Sequence, residues 1–481
     1  MRKQSLVTAA VAAACFVGSA HATNWFQLQG TEPSGIAAPV HVFGFIQPTY
    51  QDTGGTAVSG LGGPLAGPFN GAVPKFNEVA PQDTSMSSFN MLRARIAVRG
   101  TATAISNKID YFIMAEFGNN GYTYGNGSYT PRLTDASVTF NEIPGVRVRV
   151  GLFKSPGPEE VLQGIPDFDY INFTNVSAQL IQNQFIGSAP AVSTGPGAYA
   201  VQSAPINAGR DQGIQLFDWF NNGPWQFAYA AMVGNGAPLY YNAQSNSASY
   251  YGRLQEAYIF NHSKGPHQAG VTAWVWGHLG HQSLDVADTT GGYTQQNYTF
   301  KRYGAGAQYR SGFMTPGAVR VTGELMRGTG WILSQAAFSE AAAGYSGAPP
   351  TCSTTSGGTP NGLCTETLYP GANNAAVGGY IETGVFVTRH WDLEARYDQY
   401  DRMTNNPGLE RVFKTTTLGV QYYISPMARI TLNYAFNRIN VPHLSAITGP
   451  TPAATAVAQG NASAIASAKD NTIALQTTLL F

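Results

Sequence analysis

The chain has 481 residues, of which only 11% are charged, 12% are aromatic and 55 are glycine. Ordinary soluble domains carry roughly 25% charged residues. The formal net charge is zero, so nothing points to a nucleic-acid partner. This length and composition fit one large membrane β-barrel or, alternatively, a large secreted β-protein. Beyond the extreme N-terminus, no apolar run reaches the roughly 20 residues that a membrane-spanning helix needs.

Residues 1–22 have the three parts of an export signal. Arg2 and Lys3 form the basic start, residues 6–17 form the apolar middle, and residues 20–22 form a small-residue cleavage site. This signal excludes a cytoplasmic enzyme. We expect residues 23–40 to form a periplasmic lead-in and residues 41–481 to form the barrel.

Sixteen segments of nine to fifteen residues alternate between apolar and polar side chains, as strands do. They lie near 41–51, 88–102, 108–118, 131–140, 146–154, 212–220, 224–233, 250–260, 268–278, 296–310, 317–327, 377–388, 390–400, 411–423, 427–438 and 470–481. The gaps after even-numbered segments are short turns, and the gaps after odd-numbered segments are long. This sorting predicts a transmembrane antiparallel barrel of about sixteen strands, with periplasmic turns and extracellular loops.

The last segment shows the alternation clearly. Ile473, Leu475, Leu479 and Phe481 fall on one side of an extended chain, and small or polar residues fall on the other. An apolar face that continues to the last residue is typical of a strand that meets lipid on one side and a lumen on the other. We expect this strand to close the barrel by pairing with the first one.

Arginines occupy the second face of several strands. In the second strand, Arg93, Arg95 and Arg99 alternate with apolar residues, and an arginine that faces lipid at mid-membrane costs about 2–4 kcal/mol. They must therefore face the lumen. The predicted basic wall, which favours anions, comprises Arg93, Arg95, Arg99, Arg147, Arg149, Lys154, Arg302, Arg310, Arg320 and Arg429. The predicted opposing acids, which make a transverse field, are Asp110, Glu116, Asp135, Glu324, Asp392, Glu394 and Asp398. The alternative for each arginine is a wall residue that a neighbouring carboxylate satisfies.

The longest loop follows the fifth strand, from about 155 to 211. Its first part is richer in apolar residues than a solvated loop should be: Val161, Leu162, Ile165, Phe168, Ile171, Phe173 and Leu180. We expect this third loop to fold into the lumen and to set the constriction. The alternatives are an external cap and a subunit contact.

Two cysteines remain after the signal is removed. Cys352 and Cys364 lie in one Gly/Ser/Thr/Pro-rich loop of a chain bound for an oxidising compartment, and a disulfide is the simplest prediction. A free pair of thiols and a metal site are the alternatives.

Residues 88–185 resemble the phosphate-selective porin family, porins O and P. The resemblance rests on Arg93-Ala94-Arg95 with Gly100, on residues 116–118 (EFG), on residues 135–138 (DASV), and on residues 151–156 (GLFKSP) with Glu159. The family implies a sixteen-stranded trimer, passive flow of solutes, and a third loop folded into the pore. Leu92 stands where the family often has a further arginine, and Leu152 stands where it often has glutamine.

Together these features predict an outer-membrane porin that passes small hydrophilic solutes and ions and favours anions such as phosphate. The expected partners are outer-membrane lipid, two further copies in a homotrimer, and small anions or other small hydrophilic solutes, without nucleic acid. We expect no cofactor, no metal and no catalytic set, because the sequence shows no phosphate-binding glycine loop, GxSxG turn or HExxH helix. The alternatives are an outer-membrane enzyme and a structural or adhesive barrel, the latter suggested by long Ser/Thr/Gly/Ala loops at 328–376 and 440–469.

Overall fold

The structure is a computed structural model that describes residues 25–29, 39–63, 70–71, 87–120, 123, 131–182, 209–236, 248–263, 265–287, 293–334, 367–369, 371–467 and 469–481. Within these residues, sixteen antiparallel strands close into one barrel, which confirms the predicted fold. A two-stranded sheet lies in the loop between the eleventh and twelfth barrel strands.

The barrel strands are β1 His41–Gly55, β2 Ser87–Thr101, β3 Ile109–Glu116, β4 Arg132–Ile143, β5 Val146–Lys154, β6 Arg210–Asn222, β7 Trp225–Gly234, β8 Ser249–Ile259, β9 Gly270–Ala287, β10 Tyr293–Arg310, β11 Val319–Gly330, β14 Ala375–Phe386, β15 Trp391–Arg402, β16 Arg411–Ser425, β17 Ala428–Asn440 and β18 Asp470–Leu480. The small sheet pairs β12 Ile332–Ser334 with β13 Thr367–Tyr369. One expectation is wrong: the gap predicted between 278 and 296 is mostly strand, because β9 and β10 continue as one long hairpin.

Short helices complete the fold. They are α1 Trp25–Leu28, α2 Glu159–Leu162 and α3 Pro452–Ser467, the 3-10 turns Ile165–Asp167, Phe260–His262 and Leu444–Ala446, and a π-helical turn, Ser177–Gln182. None of the helices in the described residues is both long and apolar enough to cross a membrane. The alanine-rich α3 forms within the stretch predicted as a loop at 440–469. It begins after Thr451, whose hydroxyl accepts a hydrogen bond from the Ala454 N–H at 3.1 Å.

The last strand closes the barrel as predicted, by pairing with β1 from Phe45 opposite Leu480 to Gly55 opposite Asp470. The terminal residue is tied by two backbone hydrogen bonds, Gly44 N–H to Phe481 O at 2.9 Å and Phe481 N–H to Gly44 O at 3.0 Å. Glycine is required at 44, because a Cβ atom there would lie 2.4 Å from the Arg95 carbonyl oxygen and 2.7 Å from the Phe481 ring.

The outer surface of the barrel is apolar. Large hydrophobic side chains point outward on every side of the barrel, among them Ile96, Ile113, Val150, Ile214, Val233, Leu254, Val275, Leu325, Ile381, Leu393, Leu418, Leu432 and Leu475. Aromatic pairs mark the end with the short turns: Trp225 with Tyr258, and Trp391 with Tyr422, with ring centroids 4.9 and 4.8 Å apart. An apolar band with an aromatic girdle is the lipid-facing surface of an outer-membrane barrel. The chain is therefore an outer-membrane protein.

Candidate functional site

The interior of the barrel divides into four sectors by the side chains that face inward. The basic sector, on β2–β6, carries Arg93, Arg95, Arg99, Arg147, Arg149, Lys154 and Arg210 against Asp110, Glu116, Asp135, Asp211 and Asp218. The acidic sector, on β11, β14 and β15, carries Glu324, Glu382, Asp392, Glu394 and Asp398 against Arg320, Arg396 and Arg402. The aromatic sector, on β7–β10, is named for its inward-facing side chains, most of which are aromatic or small. The uncharged strip comprises the inward-facing residues of the ranges 415–421 on β16, 431–437 on β17, 472–478 on β18 and 47–53 on β1.

Strand neighbours satisfy much of the charge in the basic sector. Arg95 Nε lies 2.6 Å from Glu116 Oε2, and Arg210 Nη2 lies 3.0 Å from Asp135 Oδ2, with all four side chains buried. Arg93 donates instead to the neutral Gln47 Oε1 at 3.0 Å. The buried pairs therefore fit the alternative weighed for the arginines, in which a carboxylate on the next strand satisfies the charge.

In the acidic sector, single arginines are shared among several acids. Arg320 Nε lies 2.8 Å from Asp169 Oδ2 of the third loop, and its two other nitrogens contact Asp392 and Glu394. Arg396 Nη1 lies 3.3 Å from Glu160 Oε1, also in the third loop. Wall arginines here bridge the barrel and the loop.

The third loop lies inside the barrel, which confirms that prediction for residues 155–182. All seven apolar residues singled out from the sequence are buried. Val161 and Leu180 pack with Trp274, Trp276 and Met326 of the barrel wall. Burial of these side chains stabilises the loop in the lumen, since each contributes about 1.5–3 kcal/mol on transfer from water.

Polar anchors fix the loop on the side of the acidic sector and the uncharged strip. Asn175 donates from its backbone N–H and its side chain to Asp398 Oδ1, at 2.8 and 2.7 Å. The Ile171 N–H donates to Asn433 Oδ1 at 2.9 Å, and Gln421 donates to the Asp169 carbonyl at 2.8 Å. The loop is therefore held along its length by hydrogen bonds to inward-facing side chains.

A carboxylate anchors the start of the loop. Glu324 Oε1 accepts hydrogen bonds from the indole N–H groups of Trp274 and Trp276, both at 2.8 Å. Its Oε2 accepts from the Tyr380 hydroxyl at 3.2 Å and from the Glu159 backbone N–H at 3.1 Å. These four donors satisfy a buried carboxylate that has no basic partner in direct contact among the described residues.

The N-terminal segment contacts the same part of the loop. Trp25 donates through its indole to Glu159 Oε1, and Gln29 donates to the Leu162 carbonyl at 2.8 Å. Phe26 is buried against Phe217 and Leu162, and its carbonyl accepts from Arg149 at 2.8 Å. The described part of the predicted lead-in therefore lies against inward-facing residues of β5 and β6.

The other predicted residues are spread over three sectors. In the basic sector, the Arg99 guanidinium lies over the Phe43 ring, and Arg147 lies 3.0 Å from Asp218. Lys154 donates hydrogen bonds to the carbonyls of Leu162 and Gln163. Asp110 accepts hydrogen bonds from the side chains of Thr101 and Asn141. In the aromatic sector, Arg302 donates to the carbonyls of Leu180 and Trp331, and Arg310 contacts His267. Arg429, at one end of the uncharged strip, donates to the Phe168 carbonyl. Cys352 and Cys364 lie outside the described residues.

The third loop also contacts the periplasmic turn between β8 and β9. There, His267 Nε2 lies 3.3 Å from Asp167 Oδ1 of the loop. Burial raises the pKa of Asp167 to about 6, and burial lowers the pKa of His267 well below its usual value. At neutral pH the contact therefore joins a carboxylate to a neutral imidazole and is a polar contact rather than an ion pair.

Sequence reasoning missed several of the charged residues in contact with the loop. Arg253 donates to the Gly157 carbonyl at 2.7 Å and contacts Glu159, and Arg396 reaches Glu160. Both arginines stand at strand positions whose side chains face the lumen, so the same alternation that placed Arg93 and Arg95 inside the barrel also applies to them. Their partners in the loop have no such periodic signal.

No family model matches the chain, and no curated protein matches it by sequence. The chain is similar to solved structures of OmpT of Vibrio cholerae, an outer-membrane protein (10% identity, 93% of this chain and 99% of that one, TM-score 0.47). It is also similar to the outer-membrane channel DcaP of Acinetobacter baumannii (10%, 92% and 97%, 0.47) and to an anion-selective porin of Comamonas acidovorans (13%, 92% and 99%, 0.46). Membership of the phosphate-selective porin O and P family stays a prediction.

Proposed function

We propose that this protein is an outer-membrane channel for the passive diffusion of small hydrophilic solutes. The observation that carries the proposal is a closed barrel with an apolar outside and a polar, charged inside, narrowed by a loop that its own wall anchors. Selectivity in such channels depends on the residues that narrow and charge the lumen.

The packing of the interior predicts a narrow channel. The third loop and residues 25–29 fill much of the space between the walls, and wall arginines such as Arg95, Arg253 and Arg302 are almost fully buried. We therefore expect a small unit conductance and a strict size limit for solutes, in contrast to the wide aqueous lumen that sixteen strands can enclose.

Purified protein in planar bilayers tests the channel. We expect stable, uniform conductance steps of small amplitude in potassium chloride. Heat-denatured protein in the same detergent is the control. If folded protein gives neither steps nor solute flux into vesicles, the proposal is overturned in favour of a structural or adhesive barrel without a transport role.

A preference for anions is the finer proposal, and the basic sector supports it because its inward-facing basic residues, including Arg132 opposite Glu116, outnumber its acidic ones. We expect a reversal potential of the anion-selective sign in a salt gradient. Replacing Arg93, Arg95, Arg147 and Arg149 by glutamine should move it towards zero. A cation-selective current that is unchanged by these substitutions would show that the basic sector does not act on permeating ions.

The resemblance over residues 88–185 also supports a homotrimer. Light scattering of the detergent-solubilised protein, corrected for bound detergent, measures the number of chains. Three chains per particle are expected, and a single chain would contradict the trimer without affecting the channel.

A further inference from the structure

One region of the described interior is four strands wide and carries no charged side chain. In the ranges 47–53, 415–421, 431–437 and 472–478, all of them described, no inward-facing position holds a charged residue. The inward-facing side chains there are hydroxyls, amides and small groups: Gln47, Thr49, Gln51, Thr53, Thr415, Thr417, Gly419, Gln421, Thr431, Asn433, Ala435, Asn437, Thr472, Ala474, Gln476 and Thr478. The uncharged strip thus spans four adjacent strands, between the basic and acidic sectors.

A cavity separates part of this strip from the third loop. It is lined by Gln51, Thr417, Asn433 and Asn437 of the strip and by Asn172 of the loop. Its free volume of about 20 Å³ accommodates a water molecule or two. Elsewhere along the strip the loop lies in direct contact, as at the Ile171 N–H and Asn433.

One group that faces this space is left unsatisfied. The Thr417 side chain is 3% exposed, and its hydroxyl has no hydrogen-bond partner among the described residues. Other groups of the strip pair with one another, as Thr415 does with Asn437 at 2.7 Å and Gln476 with Thr49 at 2.9 Å. A buried hydroxyl without a partner is rare, and a permeating water or solute hydroxyl would satisfy it.

We propose that solutes pass between the uncharged strip and the third loop, which must move away from the strip to admit them, and that this path favours neutral, polyhydroxylated solutes over ions of the same size. This inference rests on the proposed channel function and adds the solute class. Hydroxyl and amide side chains both donate and accept hydrogen bonds, so they can replace the water around a sugar-like molecule group by group.

Ions meet a different cost on this path. A narrow passage removes part of the hydration shell of an ion, and burial of a charge without a charged partner is strongly unfavourable. Arg396 is the one charged residue that lines the cavity, and it is already engaged by Glu160, by the Asn172 carbonyl at 2.8 Å, and by the Tyr170 ring at 4.2 Å. The basic sector still favours anions over cations among the ions that do pass.

Solutes of one size and three charges test the inference. Swelling rates of proteoliposomes in glucose, gluconate and glucosammonium compare a neutral, an anionic and a cationic polyhydroxylated molecule of about the same size. We expect glucose to enter fastest, by about tenfold over either ion. An ion that enters the passage loses part of its hydration shell, and the strip has no charged side chain to compensate for that loss. Entry of gluconate as fast as or faster than glucose overturns the inference while leaving the channel intact. No entry of any solute, with no conductance steps, overturns the channel itself.

Two threonines on neighbouring positions of β16 locate the path. T417V removes the inward hydroxyl without changing the size of the side chain and should slow glucose entry by about fivefold, the effect of one lost hydrogen bond. T416V makes the same change on the exposed outer face and is the matched control, expected to leave glucose entry unchanged. N433D places a charge in the strip and should raise glucosammonium entry relative to glucose. If neither T417V nor N433D differs from T416V, the strip is not the path.

Discussion

The basic and acidic sectors hold the third loop in different ways. In the acidic sector, Arg320 and Arg396 reach from the wall to the loop carboxylates Asp169 and Glu160. In the basic sector, Lys154 holds the loop through the backbone carbonyls of Leu162 and Gln163, at 3.2 and 2.6 Å. One side thus relies on opposite charges that are buried together, and the other relies on a charge that meets neutral acceptors.

This difference shows that the balance of charge in a sector does not decide what each charge does. In the acidic sector the few arginines are shared, so the loss of one leaves several carboxylates buried without a cation. In the basic sector the lysine is in excess, and its loss leaves only carbonyls, which carry no net charge. We therefore expect substitutions of similar chemistry to have unequal effects in the two sectors.

The largest effect is expected from R320M. Methionine keeps much of the volume but leaves Asp169, Asp392 and Glu394 buried together without their shared cation. Breaking a buried ion pair by removing one partner costs about 3–5 kcal/mol. Urea titration of protein folded in lipid vesicles, followed by tryptophan fluorescence, measures this loss. R327M, on the exposed outer phase of the same strand, is the control. Equal stability of the two variants would contradict the shared-cation interpretation.

An intermediate effect is expected from E324Q. The glutamine N–H₂ group fits best at the position of Oε2, which accepts from the Tyr380 hydroxyl and the Glu159 N–H. The hydroxyl can turn and accept from the amide, so the Glu159 N–H is the donor that loses its acceptor. A buried donor left unsatisfied costs about 1–3 kcal/mol. The same urea titration measures the loss, and looser anchoring of the loop at Glu159 should also raise the noise of open-channel current.

E256Q serves as the control for that substitution, because Glu256 is exposed on the outer phase of β8. It should change neither stability nor current noise. If E324Q matches E256Q in both measurements, Glu324 does not anchor the loop.

The barrel could be predicted from the sequence because the alternation of apolar and polar side chains can be read within each strand. Lipid outside the barrel and a polar interior impose an alternation with a period of two. The strands appear within a few residues of their predicted positions, except that β9 ends nine residues later than predicted. The apolar residues of the third loop were enough to place it in the lumen. In the strands that contain Glu256 and Glu382, the sequence did not show clearly which side chains face the lumen. The structure places Glu256 on the outer face near the end of β8 and Glu382 on the inner face of β14.

The partners of the charged residues could not be predicted in this way. Arg320 meets Asp169 across 151 positions of the chain, and Trp25 meets Glu159 across 134. Such contacts depend on the path of an irregular loop inside a closed barrel, and no period in the sequence encodes that path. The arginines of the basic wall could be placed inward, but their pairing with carboxylates on nearby strands depends on strand register, which the alternation alone does not fix.

The smallest effect is expected from K154M, and it completes the comparison with R320M. Lys154 is buried, and its ammonium group donates to two loop carbonyls. Methionine removes these hydrogen bonds but also removes a buried charge whose desolvation was unfavourable, so the two terms offset each other in part. We expect a loss of about 1–2 kcal/mol, the scale of one or two hydrogen bonds, in the urea titration used for R320M. A loss equal to that of R320M would mean that the two sectors hold the loop by the same means, because the two substitutions replace a buried cation by the same side chain. A loss near zero would instead leave the carbonyls of Leu162 and Gln163 satisfied by water, and the loop would then depend on the acidic sector and its apolar contacts alone.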